Sequence, residues 1–328
     1  MILAGDVGGT KTHLALYEPG TPVRAPVLER RLASRSYASF EALVHEFLAG
    51  APAHPRRAVF GVAGPVVDQR VEATNLPWAL AAAGLRTELH GADVLLLNDL
   101  EAKAWGLSLL GEGDLEVLQA GLPAHGNRAL IAAGTGLGEA ILAPEGARWR
   151  PLASEGGHVD FGPRDTLEDE LLRWLRARHG RASYERILSG PGLAELYRFL
   201  RETGRGDEPA EFARAFDAAD DPAPLVGLAA VEGSCARARL ALERFVSIYG
   251  AEAGNLALKA FAVGGVFVGG GIAPRVLPFM RAPAFLEAFA TKGRLSPVLA
   301  RIPVAVVLEQ RTALWGAATL ALTWEQGV

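Results

Sequence analysis

Three segments of this 328-residue chain gather side chains of the kind that do chemistry. Asn98-Asp99 ends an apolar run, Val94 to Leu97, and opens a helical one, Leu100 to Leu110. The carboxyl ends of strands are where α/β sheets place ligand-binding groups. Asp99 there has two readings: a helix N-cap, or a general base that takes the proton of a hydroxyl as its oxygen attacks phosphorus, worth on the order of 10²–10⁴ in rate. Glu155-Gly156-Gly157-His158-Val159-Asp160 sets three titratable side chains around two glycines. Neither H-E-x-x-H nor a cysteine pair is present, so recognition of a hydroxylated ligand is a better use than metal binding. A carboxylate accepts from two hydroxyls, and an imidazole both donates and accepts. Glu185, just before Ser189-Gly190-Pro191-Gly192, is open between a helix-surface charge and a further polar ligand.

The glycines form the second signal. The chain holds 38, against about 23 at average usage. Gly5-Asp6-Val7-Gly8-Gly9-Thr10 lies between two apolar strands, Gly134-Thr135-Gly136-Leu137-Gly138 repeats that arrangement, and Gly269-Gly270-Gly271 follows a third strand. Backbone N–H groups without side-chain obstruction can approach a phosphate. The first loop is not a Walker A loop, because Thr10 precedes Lys11 and a strand follows. The second lacks the dinucleotide fingerprint, since Glu139 stands at its third glycine position. Three glycine turns at strand ends suit a nucleotide whose phosphates are held from two lobes and whose base is held by a third loop. Asp6 beside the first loop suits Mg²⁺ held through water or, equally, an Asx turn.

The elements that must position these groups follow from periodicity. Met1 to Ala4 and Thr12 to Tyr17 read as a hairpin with a wide turn at Gly5 to Thr10, and Val27 to Tyr37 as a third alternating segment. Ser39 caps a helix with Phe40, Leu43, Val44, Phe47 and Leu48 on one face. Ala58 to Val62 is a strand, Val66 to Ala73 a hairpin around Asp68-Gln69, and Trp78 to Leu89 a helix after Pro77. Gly111 to Asp114 reads as a linker, beyond which Leu130 to Ala143 repeats the opening strand, glycine turn and strand. Asp165 to Lys259 is mostly helical in character, followed by strands near Val263 to Gly271 and Ile302 to Leu308 and a closing helix. This order predicts α/β layers with mixed sheets in two related lobes.

Composition bounds the partners. A net charge of −4 supplies no basic field for nucleic acid. A single cysteine, Cys235, excludes an internal disulfide, a cysteine-rich zinc site and an iron–sulfur cluster, and fits a reducing cytoplasm. No signal peptide or bilayer-length apolar stretch is read, so a soluble protein without membrane contact is expected.

Taken together, the motifs resemble those of the bacterial glucokinases, within the actin, hexokinase and sugar-kinase superfamily. The resemblance spans nearly the whole chain through Gly5 to Thr10, Thr74-Asn75 with Trp78, Asn98-Asp99, Gly134 to Gly138, Glu155 to Phe161, Glu185 to Leu193, Gly254 to Leu258 and Gly264 to Ile272. It implies two ribonuclease-H-like lobes with a cleft between them: residues 1–110 completed by a C-terminal helix at about 313–328, and residues 111–312 with helical insertions. It further implies transfer of the γ-phosphoryl group of ATP, with Mg²⁺, to the 6-hydroxyl of glucose, and a homodimer. Position by position, Asp99 resembles the catalytic base, and Asn98, Glu155, His158 and Glu185 the sugar ligands, with Asn75 near that pocket. Gly5, Asp6, Val7, Gly8, Gly9 and Thr10 resemble one phosphate loop and Gly134, Thr135 and Gly136 the other, while Gly269, Gly270 and Gly271 resemble the segment near the nucleoside. The cysteine-rich zinc motif of related repressors and kinases is missing from the sequence, which implies the zinc-free branch. Rivals are a kinase for another hexose or amino sugar, a polyphosphate-using glucokinase and, more remotely, a nonenzymatic actin-like nucleotide-binding module.

Overall fold

The computed structural model describes residues 1–73 and 76–323. The chain divides into two compact α/β units, one of Met1–Gly113, Glu145–Ala153 and the C-terminal segment from Glu309, the other of Asp114–Pro144 and Ser154–Leu308. Residues 145–153, which the sequence reading groups with 111–312, thus pack with the first unit. Asn75, an expected sugar-pocket residue, lies outside the described residues.

In the first unit, β1 (Ile2–Val7), β2 (Lys11–Tyr17), β3 (Leu28–Ala33), β4 (Arg57–Val62) and Asp93–Asn98 form a sheet. Arg70–Glu72 (β5) and Ala79–Ala81 (β6) make a separate antiparallel ribbon, so Asp93–Asn98 is β7 and the sheet order is β3-β2-β1-β4-β7. β1 pairs antiparallel with β2 and parallel with β4, and β4 parallel with β7. The period of two splits β1 between two cores. Leu3 and Val7 join Phe60 and the helix α1 (Phe40–Leu48), while Ile2 and Ala4 join Ala102 and the C-terminal helix Thr312–Thr323. Asp6 shares the parity of Ile2 and Ala4. Ser39 caps α1, its side chain accepting from the Ala42 N–H.

Two expectations change here. β1 runs on to Val7, so the turn is only Gly8 to Thr10 and Gly5 lies inside the strand. A Cβ at Gly5 would stand 2.7 Å from both Leu14 and Phe60, which makes it a packing glycine. The stretch read as one helix from Trp78 begins instead as β6 and becomes helical only in α2 (Ala82–Glu88), because Ala79–Ala81 pairs with β5.

Behind β7, α3 (Asp99–Gly106) crosses the C-terminal helix where glycines let the backbones meet. A Cβ on Gly316 would lie 1.8 Å from the Ala102 carbonyl oxygen, and one on Gly106 2.0 Å from that of Thr312. This close crossing fixes the helix that starts with Asp99.

The second unit repeats the plan. Its strands are β8 (Leu115–Gln119), β9 (Arg128–Ala133) and β10 (Leu137–Glu145), and the next strand in sequence, Arg148–Leu152 (β11), falls in the segment grouped with the first unit. Val266–Gly269 (β12) and Val304–Val307 (β13) complete them. Again an antiparallel glycine hairpin, β9 with β10, continues into parallel strands, β9 with β12 and β12 with β13. β8 closes the edge antiparallel to β13. The helices α4 (Thr166–His179), α5 (Gly190–Glu202), α6 (Ala210–Ala218), α7 (Ala223–Glu232) and α8 (Ala236–Ala260) lie between β11 and β12 in sequence. α8 is the buried one: Phe245, Ile248, Tyr249 and Ala253 contribute no exposed surface to the core they share with Ile131, Val268 and Phe285. No helix among the described residues is long and apolar enough to cross a membrane.

Candidate active site

In the first unit the sequence-predicted pair sits at the β7 to α3 junction. Asn98 is the N-cap: its Oδ1 accepts from the Leu100 N–H at 2.9 Å while its Nδ2 donates to the Gly64 carbonyl at 3.1 Å. Asp99 therefore starts the helix proper and is not its cap. A carboxylate there is favoured by the helix dipole, and its Oδ1 accepts from the Leu100 N–H at 3.0 Å. Burial wins nonetheless. It pushes the Asp99 carboxyl up to about 6, with the charge of Asp6 adding to the rise and that of Lys103 opposing it. Asp99 still keeps part of its surface open. Burial also raises Asp6, again opposed first by Lys103 and then by His13 and Arg31. Lys103, four residues after Asp99 and so on the same helix face, is the residue that sequence reading missed; its i+4 spacing from the acid was the available signal.

The first glycine turn is held from β2 and the turn after β3. Gly8 N–H donates to the Lys11 carbonyl at 3.1 Å, and Ser34 N–H to that of Thr10 at 3.1 Å. The buried Ser34 hydroxyl donates to the Gly8 carbonyl at 2.7 Å and lies 2.9 Å from the Thr12 hydroxyl. Gly9 and Thr10 are left at the surface of this braced turn.

In the second unit three glycine segments converge. Gly190 N–H donates to the Gly134 carbonyl at 2.8 Å, and Ile272 N–H to that of Ala133 at 3.3 Å. The buried Tyr249 hydroxyl is a shared post: it accepts from the Ala133 N–H at 3.0 Å and lies 3.3 Å from the Ile131 and Gly269 carbonyl oxygens, so it ties the ends of β9 and β12 together. Around these turns opens a cavity of about 980 Å³, lined by Gly134, Thr135, Gly190, Gly271 and Ile272. Its far wall is α7, whose Leu228 and Val231 are exposed apolar side chains, with Asp220 and Asp221 at the helix start and Arg198 and Arg275 among the lining residues. Apolar walls with a few charged groups suit a planar base and its sugar. Of the three predicted glycines here only Gly271 lines the cavity. Gly269 ends β12, and Gly270 makes the turn, with φ of +86° and room for no side chain.

Beside that cavity the hydroxyl-binding candidates come together. Glu155 precedes a single helical turn, 156–158, and its Oε2 lies 4.0 Å from His158 Nε2. His158 Nδ1 is 3.7 Å from Glu185 Oε1. Glu185 Oε2 accepts from the Leu137 N–H at 3.1 Å, and Gly136 lies flat against the same oxygen. Glu185 thus joins the second glycine loop to the polar cluster. Gly157 is required because a Cβ there would stand 2.0 Å from the Leu137 carbonyl oxygen. Asp160 turns away to pair with Arg181 at 2.6 Å.

The same architecture recurs in known proteins. The glucokinase of Nostoc sp. is 41% identical over 98% of this chain and 98% of its own length. The crystal structure of a glucokinase from an Antarctic psychrotroph is similar with a TM-score of 0.82 at 30% identity, covering 98% of both chains. A ROK family glucokinase from Streptomyces griseus shares the fold at a TM-score of 0.65 and 22% identity, covering 97% of this chain and 98% of that one. The Glucokinase family model matches residues 3–324, and the chain belongs to that family.

Proposed function

We propose that this chain phosphorylates the 6-hydroxyl of D-glucose with the γ-phosphoryl group of ATP. The observation that carries the reading is the contact between Glu185 and the second glycine loop, which puts the cluster of Glu155, His158 and Glu185 beside the glycine-lined cavity. A ligand rich in hydroxyls and a phosphate are thereby recognised by adjoining groups. The names of the relatives agree, and the Streptomyces griseus structure is of a complex with glucose and AMPPNP.

In this mechanism glucose hydroxyls are bound by Glu155, His158, Glu185 and Asn98, whose acceptors and donors replace water. Asp99, ionised at neutral pH, takes the proton of the attacking hydroxyl. The loops at Gly8 to Thr10 and Gly134 to Gly136 bind phosphate oxygens through backbone N–H groups, and the cavity wall of Ile272, Leu228 and Val231 takes the base. Phosphoryl transfer asks for little covalent chemistry from the protein, so positioning and electrostatics carry the rate. Asp6 fits Mg²⁺ held through water: it is a half-buried residue whose acid side chain stands beside the first loop, and one carboxylate plus substrate phosphates is the usual setting for that ion. The ion would supply neutralisation of phosphate charge. The family resemblance supports a homodimer, which sedimentation equilibrium reads directly, and the single cysteine fits a reducing cytoplasm. The reading is tested by kcat/KM across glucose, mannose, N-acetylglucosamine and ATP or polyphosphate. Glucose with ATP is expected to lead, and a higher value for another pair would reassign the substrate.

A further inference from the structure

Glu139 is a charge-bearing side chain with no part in the mechanism above. It is the third residue of β10, only 2% exposed, and it faces Glu252 of α8, which has no exposed surface. Glu252 is well served: Oε2 accepts from Asn255 Nδ2 at 2.7 Å and Oε1 from Lys259 Nζ at 3.2 Å. Glu139 is not, for its Oε1 finds no donor among the described residues. Its other oxygen faces the polar loop. A Cβ on Gly156 would lie 2.1 Å from Glu139 Oε2 and 3.1 Å from Ser154 Oγ, so the Gly156 backbone rests on this carboxyl as Gly157 rests on Leu137. The loop that presents Glu155 and His158 is therefore laid on the first residues of β10.

We propose that Glu139, backed by Glu252, is a positioning residue for the 155–158 loop and sets affinity for the sugar without touching it. The inference rests on the glucokinase reading of that loop. Two buried acceptors cannot face each other without a proton between them, and protonation turns Glu139 into a donor toward Glu252. Burial, then the charge of Glu252, holds its pKa far above the carboxylate range, with Lys259 opposing. Among the described residues, Tyr184 and Lys292 also interact with Glu252 and Tyr249 with Glu139, both tyrosines held neutral by burial, and Arg164 interacts in turn with Tyr184 and Lys292. Ionising Glu139 would set a second negative charge beside Glu252 and push the floor of the loop apart.

The test is glucose affinity, by calorimetry and as KM, for wild type, Glu139→Gln and Glu139→Ala from about pH 6 upward through about 8, where the Glu139 proton is placed. Wild-type affinity should weaken as pH rises through that range, while Glu139→Gln, neutral throughout, keeps the low-pH affinity. Glu139→Ala should bind glucose about tenfold more weakly even at low pH, the loss of roughly one well-placed hydrogen bond, with kcat and the KM for ATP nearly unchanged. Parallel profiles for wild type and Glu139→Gln would overturn the proposal, and that comparison decides even if Glu139→Ala does not fold. A wild type that binds no glucose at any pH would overturn the kinase reading and this inference together, whereas tight binding with parallel profiles would overturn this inference alone.

Discussion

Replacing Asp99 by asparagine keeps the size and the helix start of α3 but removes the proton acceptor. Because burial and Asp6 together hold the Asp99 carboxyl at about 6 instead of its ordinary 3.8, wild-type kcat/KM should rise with pH through about 6 and level off above it. The profile of kcat/KM reports the free enzyme. One pH unit below that midpoint only about a tenth of Asp99 is ionised, so kcat/KM should fall roughly tenfold, whereas a carboxyl with its ordinary value would still be about nine-tenths active there. The Asp99→Asn enzyme should lose on the order of 10²–10⁴ in kcat, keep glucose binding measured by calorimetry, and lose the acid limb. Lys103→Met supplies the second arm. Lys103 favours the charged forms of both Asp99 and Asp6, so its removal should move the acid limb to higher pH. A kcat for Asp99→Asn within about threefold of wild type, or a wild-type midpoint in the ordinary carboxylate range, would refute the assignment of the base.

Other perturbations separate the parts of the second unit. Glu155→Ala should raise the KM for glucose alone, since its side chain is exposed and pairs loosely with His158, while Glu185→Ala also frees the Leu137 N–H and should raise the KM for ATP as well; initial-rate kinetics with both substrates varied distinguish the two patterns. Gly270→Ala puts a Cβ 2.1 Å from the Ala133 carbonyl oxygen at a φ of +86°. It should cost about 1–3 kcal/mol of stability and raise the KM for ATP, read by thermal melts and kinetics.

What the sequence disclosed and what it withheld have physical reasons. Local signals read well: Ser39 caps α1, Asp68 and Gln69 both adopt positive φ in a turn, and the two glycine hairpins each continue into parallel strands. Of the two readings of Asp99, the helix cap falls to its neighbour Asn98, which leaves the general base as the proposal to be tested. Glycine alone did not tell packing from binding. Gly5 makes room for Leu14 and Phe60, and Gly270 for Ala133, and neither need is visible before the sheet is assembled. The cavity wall was the least legible. Gly134, Asp220, Leu228 and Arg275 lie far apart in the chain, and only the docking of α7 against the strand ends brings them to one space. In the sequence Glu139 only breaks the dinucleotide fingerprint of the second loop, and its burial against Glu252 is not visible before the fold is assembled.

The most direct test of the account is the identity of the product. Incubated with ATP, Mg²⁺ and D-glucose, the protein should form ADP and sugar phosphate in equal amounts, and the phosphorus resonance of the product should couple to the two protons on carbon 6. Formation of ADP without sugar phosphate, or a phosphorus coupled to the anomeric proton, would contradict it.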